Sequence, residues 1–150
     1  DALPILELGG FDTHIRQGTA QGALANRLES FSRSLVALHT ALGPSWANTV
    51  VAVVTEFGRT VSPNGSGGTD HGTGAAALLL GGAIKGGKVY ADWPGLNESA
   101  LHKRRDLKPT TDLRAVFANI LHQHLAVPKS LLNTTVFPGK PLPPLDLIRG

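Results

Sequence analysis

Cysteine is absent from the 150 residues. That excludes disulfides and any thiolate-ligated metal, and it leaves the redox compartment open. Methionine is absent as well, position 1 included. We therefore expect a processed piece, a trimmed product or a fragment of a longer chain, with any signal peptide upstream. No apolar run approaches the ~18 residues that a membrane helix needs; LPILEL (3–8) and AAALLLGG (75–82) are far too short. Net charge is small. A net charge of +3 and a pI near 9.6 are too weakly basic to argue for nucleic acid. What remains, 41% hydrophobic and 17% charged residues, is ordinary for a soluble globular protein of one domain or part of one.

Along the chain, LPILEL reads as a strand closed by Gly9 and Gly10, with Pro4 an awkward strand residue. Leu24, Leu28, Phe31, Leu35, Leu38 and Leu42 then recur at alternating steps of four and three, forming one stripe of a long amphipathic helix over 20–42. Gly43-Pro44 should stop it. TVVAVVT (49–55) is a nearly continuous β-branched run, as in a strand buried on both faces of a parallel sheet. Strand, helix, strand predicts a right-handed βαβ unit. A glycine-rich loop follows over 58–74. Residues 75–82 read as a third strand or a short helix, and Lys85-Gly86-Gly87-Lys88 as the tip of a turn. Residues 101–112 are a basic connection, and 111–125 a second helix. Thr110 or Thr111 should cap that helix, with Asp112 in its first turn and Leu113, Val116, Phe117, Ile120 and Leu121 facing the core. From Pro128 onward the chain should be irregular. No internal repeat is visible.

Polar chemistry gathers in three places. Ligands of open parallel sheets bind at the carboxyl ends of the strands. The first strand would deliver Asp12 and His14 there, the second Thr55, Glu56 and Arg59, and the glycine-rich loop Asp70 and His71. Residues two apart on an extended segment share a side, so Asp12 and His14 can hold one cation together, with His71 as a third ligand. Oxygen and nitrogen donors of this kind suit zinc, manganese or iron. Plainer readings stand beside this one. Asp12 as a cap, His14 as a loop histidine, a Glu56–Arg59 ion pair and a merely flexible GSGGTDHGTG all fit the same residues. That loop is not a P-loop, lacking the lysine-serine/threonine ending, nor a calcium β-roll, whose motif must repeat. His39, His122 and His124 read as helix-surface residues, and Lys103-Arg104-Arg105 as a solvated loop or an attractor of anions.

The ordered motifs GGFDTH, TEFGRT, NGSGGTDHGTG, GGAIKGGKVYADWPGL and DLKPTTDLRAVFANIL, spread over residues 5–125, resemble a secreted bacterial family of the alkaline phosphatase and sulfatase superfamily. Full-length members of that family often carry twin-arginine signals. The resemblance implies a three-layer α/β/α fold with a mostly parallel sheet. This chain would supply the C-terminal part of it over 1–127, followed by a proline-rich tail over 128–150. It also implies a bimetal site that cleaves phosphate or sulfate esters. Asp12, His14 and His71 look like the ligands of one metal, with Asp70 and Glu56 as further metal-site residues. The superfamily's adjacent Asp-His pair for the second metal reads Glu56-Phe57 here, without the imidazole. The Asp-x-His spacing of the first pair is narrower than usual. The nucleophile and another metal-binding Asp come from the N-terminal half in the superfamily.

Two functional classes follow. In the first, the parent protein is a periplasmic or extracellular metal-dependent hydrolase of an anionic ester, small molecule or glycan, and this chain alone is inactive. Glu56 would ligate or act as base, and Arg59 would contact the ester. In the second, the chain is a non-catalytic binding or structural module that keeps the fold. In either, a missing N-terminal half or self-association should cover an open sheet edge. No membrane span and no nucleic-acid partner are expected, although a polyanion on loop 102–108 is a weaker option.

Overall fold

A computed structural model describes residues 3–139 and 141–149. Helix α1, Ala23–Leu42, is the amphipathic helix read from the leucine stripe. It ends where Gly43 turns to φ 50° and donates its N–H to His39 O, and Pro44 opens a short 3₁₀ turn over Gly43–Asn48. Strands β1 (Val51–Val53), β2 (Gly58–Arg59), β3 (His71–Gly72) and β4 (Leu78–Leu80) follow. A second helix, α2 (Leu113–Gln123), precedes a helical turn at Lys129–Leu131 that widens into a π-helical turn over Leu132–Val136.

The expected mostly parallel, three-layer α/β/α sheet is not what forms. The four strands make two separate antiparallel ribbons, β1 with β4 and β2 with β3. Val51 faces Leu80 and Val53 faces Leu78 in the first, and Arg59 faces His71 in the second. Two causes are visible. LPILEL, the intended first strand, pairs with nothing among the described residues; Ile5 is 93% and Leu6 80% exposed. Without it no βαβ unit exists. After β1 the chain instead runs through the β2–β3 ribbon, and β4 returns antiparallel to β1. The β-branched run 49–55 is accordingly half-buried, with Val54 exposed.

The core is small. Ile84, Ile120, Leu147 and Ile148 form it, with Val50, Ala52, Leu79, Val116 and Leu145 packed around them. The segment after Pro128 thus returns two residues to the centre, and Ile148 bridges Ile84. The inner face of α2 is Ala115, Ala118 and Ile120, whereas Leu113 stays exposed. Its cap is Asp112, whose carboxylate accepts the Arg114 N–H at 2.9 Å, one residue beyond the expected threonines. No α1 residue is fully buried. Its apolar stripe is half-covered, with Phe31 edge-on to Phe11 at 6.4 Å between ring centroids.

Candidate metal centre

The β2–β3 ribbon is too short to stand by itself, so side chains brace it. Gly68 and Gly72 show why this stretch is rich in glycine. A Cβ on Gly72 would come within 2.7 Å of the Asp106 Cβ, and one on Gly68 would run into the His14 backbone. The close approach at Gly68 packs the 11–17 segment directly against the 64–69 loop, where Ile15 bridges Gly67. Arg16 and Gln17 N–H groups donate to Ser66 and Gly67 carbonyls at 3.0 and 2.9 Å. Gln17 Oε1 accepts from both Thr13 and Thr69 hydroxyls, at 2.8 and 2.7 Å. Two chain segments some fifty residues apart are thereby fixed face to face.

Asp12 and His14 on one segment meet His71 on the other. Their candidate ligand atoms all lie within 4.8 Å of one another. His14 Nε2 is 3.1 Å and His71 Nε2 2.8 Å from the same oxygen, Asp12 Oδ1. Donors around a tetrahedral zinc at about 2.0–2.1 Å sit about 3.3 Å apart; the two His–Asp12 spacings are close to that, and the widest spacing of the cluster, up to 4.8 Å, would have to close around a cation. Two imidazoles and a carboxylate form a donor set for zinc, manganese or iron. The side chains are 54%, 42% and 48% exposed in chain order, which leaves the cluster open to an incoming ion or ligand. The His71 contact, with Arg59 assisting, holds the Asp12 carboxyl below its ordinary 3.8 against a smaller opposing effect of burial. Asp12 is therefore ionised, as a ligand must be, throughout the neutral range.

The other expected site residues fall into different positions. Arg59 turns inward. It donates to Asp12 Oδ1 at 2.5 Å, to Phe11 O at 2.8 Å and to Thr69 O at 2.8 Å. This ties both segments to the ribbon. Its guanidinium carbon also lies 4.8 Å above the Phe57 ring. Phe57 in turn stacks flat on His71 at 4.0 Å, so the phenyl ring packs one face of a candidate ligand. Asp70 Oδ1 lies 3.2 Å from His14 Nδ1 and accepts from Asn64 Nδ2 at 2.9 Å. Asn64, then His14, hold its carboxyl below the ordinary value. Glu56 is exposed, stands outside the three-residue cluster and makes no side-chain hydrogen bond among the described residues. The cluster lies between the 11–17 segment and the β2–β3 ribbon, not at the carboxyl edge of a parallel sheet.

Three braces escaped the sequence reading. Asn64 follows proline and precedes glycine, a turn signal that pointed to it. Gln17 gave no signal. Asp106 sits in a basic run that reads as solvated, yet it is fully buried. It accepts the Thr73 N–H at 2.5 Å and Arg105 Nε at 3.2 Å, and it bridges Thr60 and His102. Burial pushes its carboxyl up, but these donors outweigh that and hold it low.

Fold and site together define a small α+β chain that presents an open nitrogen–oxygen donor cluster on a braced antiparallel ribbon. Over residues 5–136 the chain matches the family described as protein of unknown function, DUF1501, and it belongs to that family. No curated protein and no solved structure matches it. No helix among the described residues is long and apolar enough to cross a membrane.

Proposed function

We propose that Asp12, His14 and His71 hold a divalent cation (zinc, manganese or iron) and that the protein is part of a metal-dependent hydrolase of phosphate or sulfate esters. One observation carries the reading: donors from two remote segments converge within 4.8 Å. A cation bound there supplies Lewis acidity toward an ester oxygen. The chain's own residues do the rest. Arg59 fixes Asp12 and Phe57 packs the His71 ring, and exposed Glu56, although outside the three-residue cluster, is the carboxylate offered as the base. The openness of the cluster suits an anionic ester carried by a small molecule or a glycan. The ester substrate and the periplasmic or extracellular setting are supported by the resemblance of the motif order to the alkaline phosphatase and sulfatase superfamily. On that resemblance the nucleophile would come from an N-terminal half, and the chain alone should not turn over ester.

The test is hydrolysis of chromogenic aryl phosphate and aryl sulfate esters by the protein as its gene encodes it. Turnover that a chelator abolishes, that zinc or manganese restores, and that Asp12→Ala eliminates supports the reading. Turnover indifferent to chelation and to Asp12→Ala contradicts it.

A second reading, a non-catalytic binding or structural module, has its own support. Glu56 stands apart from the cluster, and Arg59 directs its donors to Asp12, Phe11 and Thr69 rather than outward. Metal retention with no ester turnover in the complete protein would favour it.

A further inference from the structure

We propose that Asp70 is a positioning residue and not a metal ligand: it fixes the ring of His14 so that Nε2 faces the cation. This rests on the metal reading above. The imidazole of His14 has two nitrogens with distinct neighbours. Nε2 points to Asp12 Oδ1 at 3.1 Å, inside the cluster. Nδ1 points the other way, to Asp70 Oδ1 at 3.2 Å. A neutral imidazole carries one proton. A carboxylate at Nδ1 keeps that proton on Nδ1 and leaves the Nε2 lone pair for the cation.

Asp70 immediately precedes β3, and its neighbour His71, the first residue of that strand, makes a different contact. His71 meets Asp12, whereas Asp70 meets the Nδ1 side of His14. Asp70 is not among the three residues whose donors converge.

Asn64 makes the arrangement rigid. Its amide Nδ2 donates both to Asp70 Oδ1 and to the His14 carbonyl, each at 2.9 Å. Its Oδ1 accepts the N–H groups of Ser66 and Gly68 at 2.9 and 3.1 Å. One side chain thus locks the backbone of the ligand to the carboxylate that orients it. The Asp70 N–H, 3.2 Å from Thr60 Oγ1, anchors the other side.

The experiment is zinc titration calorimetry on the unaltered protein, Asp70→Asn and Asp70→Ala. It is paired with nitrogen-edited NMR of the His14 ring in the zinc-loaded state and circular dichroism to confirm folding. In the unaltered protein His14 should carry its proton on Nδ1, slowed in exchange with water, with Nε2 metal-bound. Zinc affinity should fall about 10–100-fold in Asp70→Ala. Asp70→Asn should show a smaller fall and a faster-exchanging Nδ1 proton. It decides the matter if Asp70→Ala does not fold. Unchanged affinity and unchanged Nδ1 exchange in the folded variants overturn the inference while the metal reading stands. A fall in affinity with the Nδ1 proton unaffected also overturns it, because Asp70 would then be a ligand. No zinc binding by the unaltered protein overturns both.

Discussion

Replacing Arg59 with lysine separates two roles that its charge and its shape would otherwise confuse. The guanidinium reaches three acceptors at 2.5–2.8 Å, two of them the carbonyls of Phe11 and Thr69. A lysine ammonium keeps the charge but is a compact donor at the end of a flexible stem, and it cannot span acceptors on two segments at once. Hydrogen bonds from a charged donor are worth about 1.5–3 kcal/mol each where they are buried. The Arg59 side chain is 22% exposed, so water replaces part of what is lost, and the contact with exposed Asp12 adds little to stability. We expect Arg59→Lys to cost about 1–3 kcal/mol, read as a lower urea midpoint by tryptophan fluorescence. Metal affinity should fall too, by about tenfold, because Asp12 loses the brace that holds it opposite His71. Arg59→Met is the control. Removing a positive charge some 4 Å from a cation helps binding by about 1 kcal/mol in water-like surroundings, so Met should recover part of the affinity while remaining as unstable. If Arg59→Lys matched the unaltered protein in both urea midpoint and metal affinity, the bracing role would be refuted, and a role in contacting the ester would be the better account.

The remaining expectations concern the frame around the site. Leu147→Ala, at a position 1% exposed beside Ile84 and Ile120, should cost about 2–5 kcal/mol by denaturant unfolding; a cost below half a kilocalorie would show that the returning C-terminal segment does not hold the core. Asp106→Ala strands the Thr73 N–H and removes the partner of Arg105. It should cost about 1–3 kcal/mol and increase amide exchange across β2–β3, and unchanged exchange there would count against Asp106 as the brace of that ribbon. The carboxyls of Asp12, Asp70, Asp106, Asp112 and Asp146 are all held below 3.8 in the folded protein. Between the unfolded and folded values the unfolded chain binds more protons, so their stabilisation is complete above about pH 4–5 and fades as pH falls through the lowered values. Urea midpoints that rise steadily as pH drops from about 5 to 3 would contradict this.

Features written in local pattern were legible. The leucine stripe and Gly43-Pro44 announced α1 and its end, and the periodicity of 113–121 announced α2. Asp12 and His14 could be singled out because they stand two apart after a glycine-ended apolar run, and His71 because the glycine-rich loop carries it; the parallel-sheet edge expected to gather them did not form. What failed was pairing. TVVAVVT looks like the centre of a parallel sheet because a continuous β-branched run says only that both faces are apolar, not which strand lies beside it. LPILEL has strand composition but no partner strand among the described residues, and Pro4 is the residue in it that speaks against a strand. The cap of α2 moved to Asp112 because any of three neighbouring polar residues fits the same signal. Arg59, Asn64 and Asp106 each reach at least one partner ten to fifty residues away, which spacing along the chain does not encode. The inward turn of Arg59 could not be told from an outward one.

The most direct test of the central claim is metal content by mass spectrometry of the gently purified chain, beside Asp12→Ala and His71→Ala. Near-stoichiometric zinc, manganese or iron in the unaltered chain, lost in both variants while circular dichroism stays unchanged, is the result expected. An unaltered chain that neither retains metal nor takes up added zinc, manganese or iron would contradict the account.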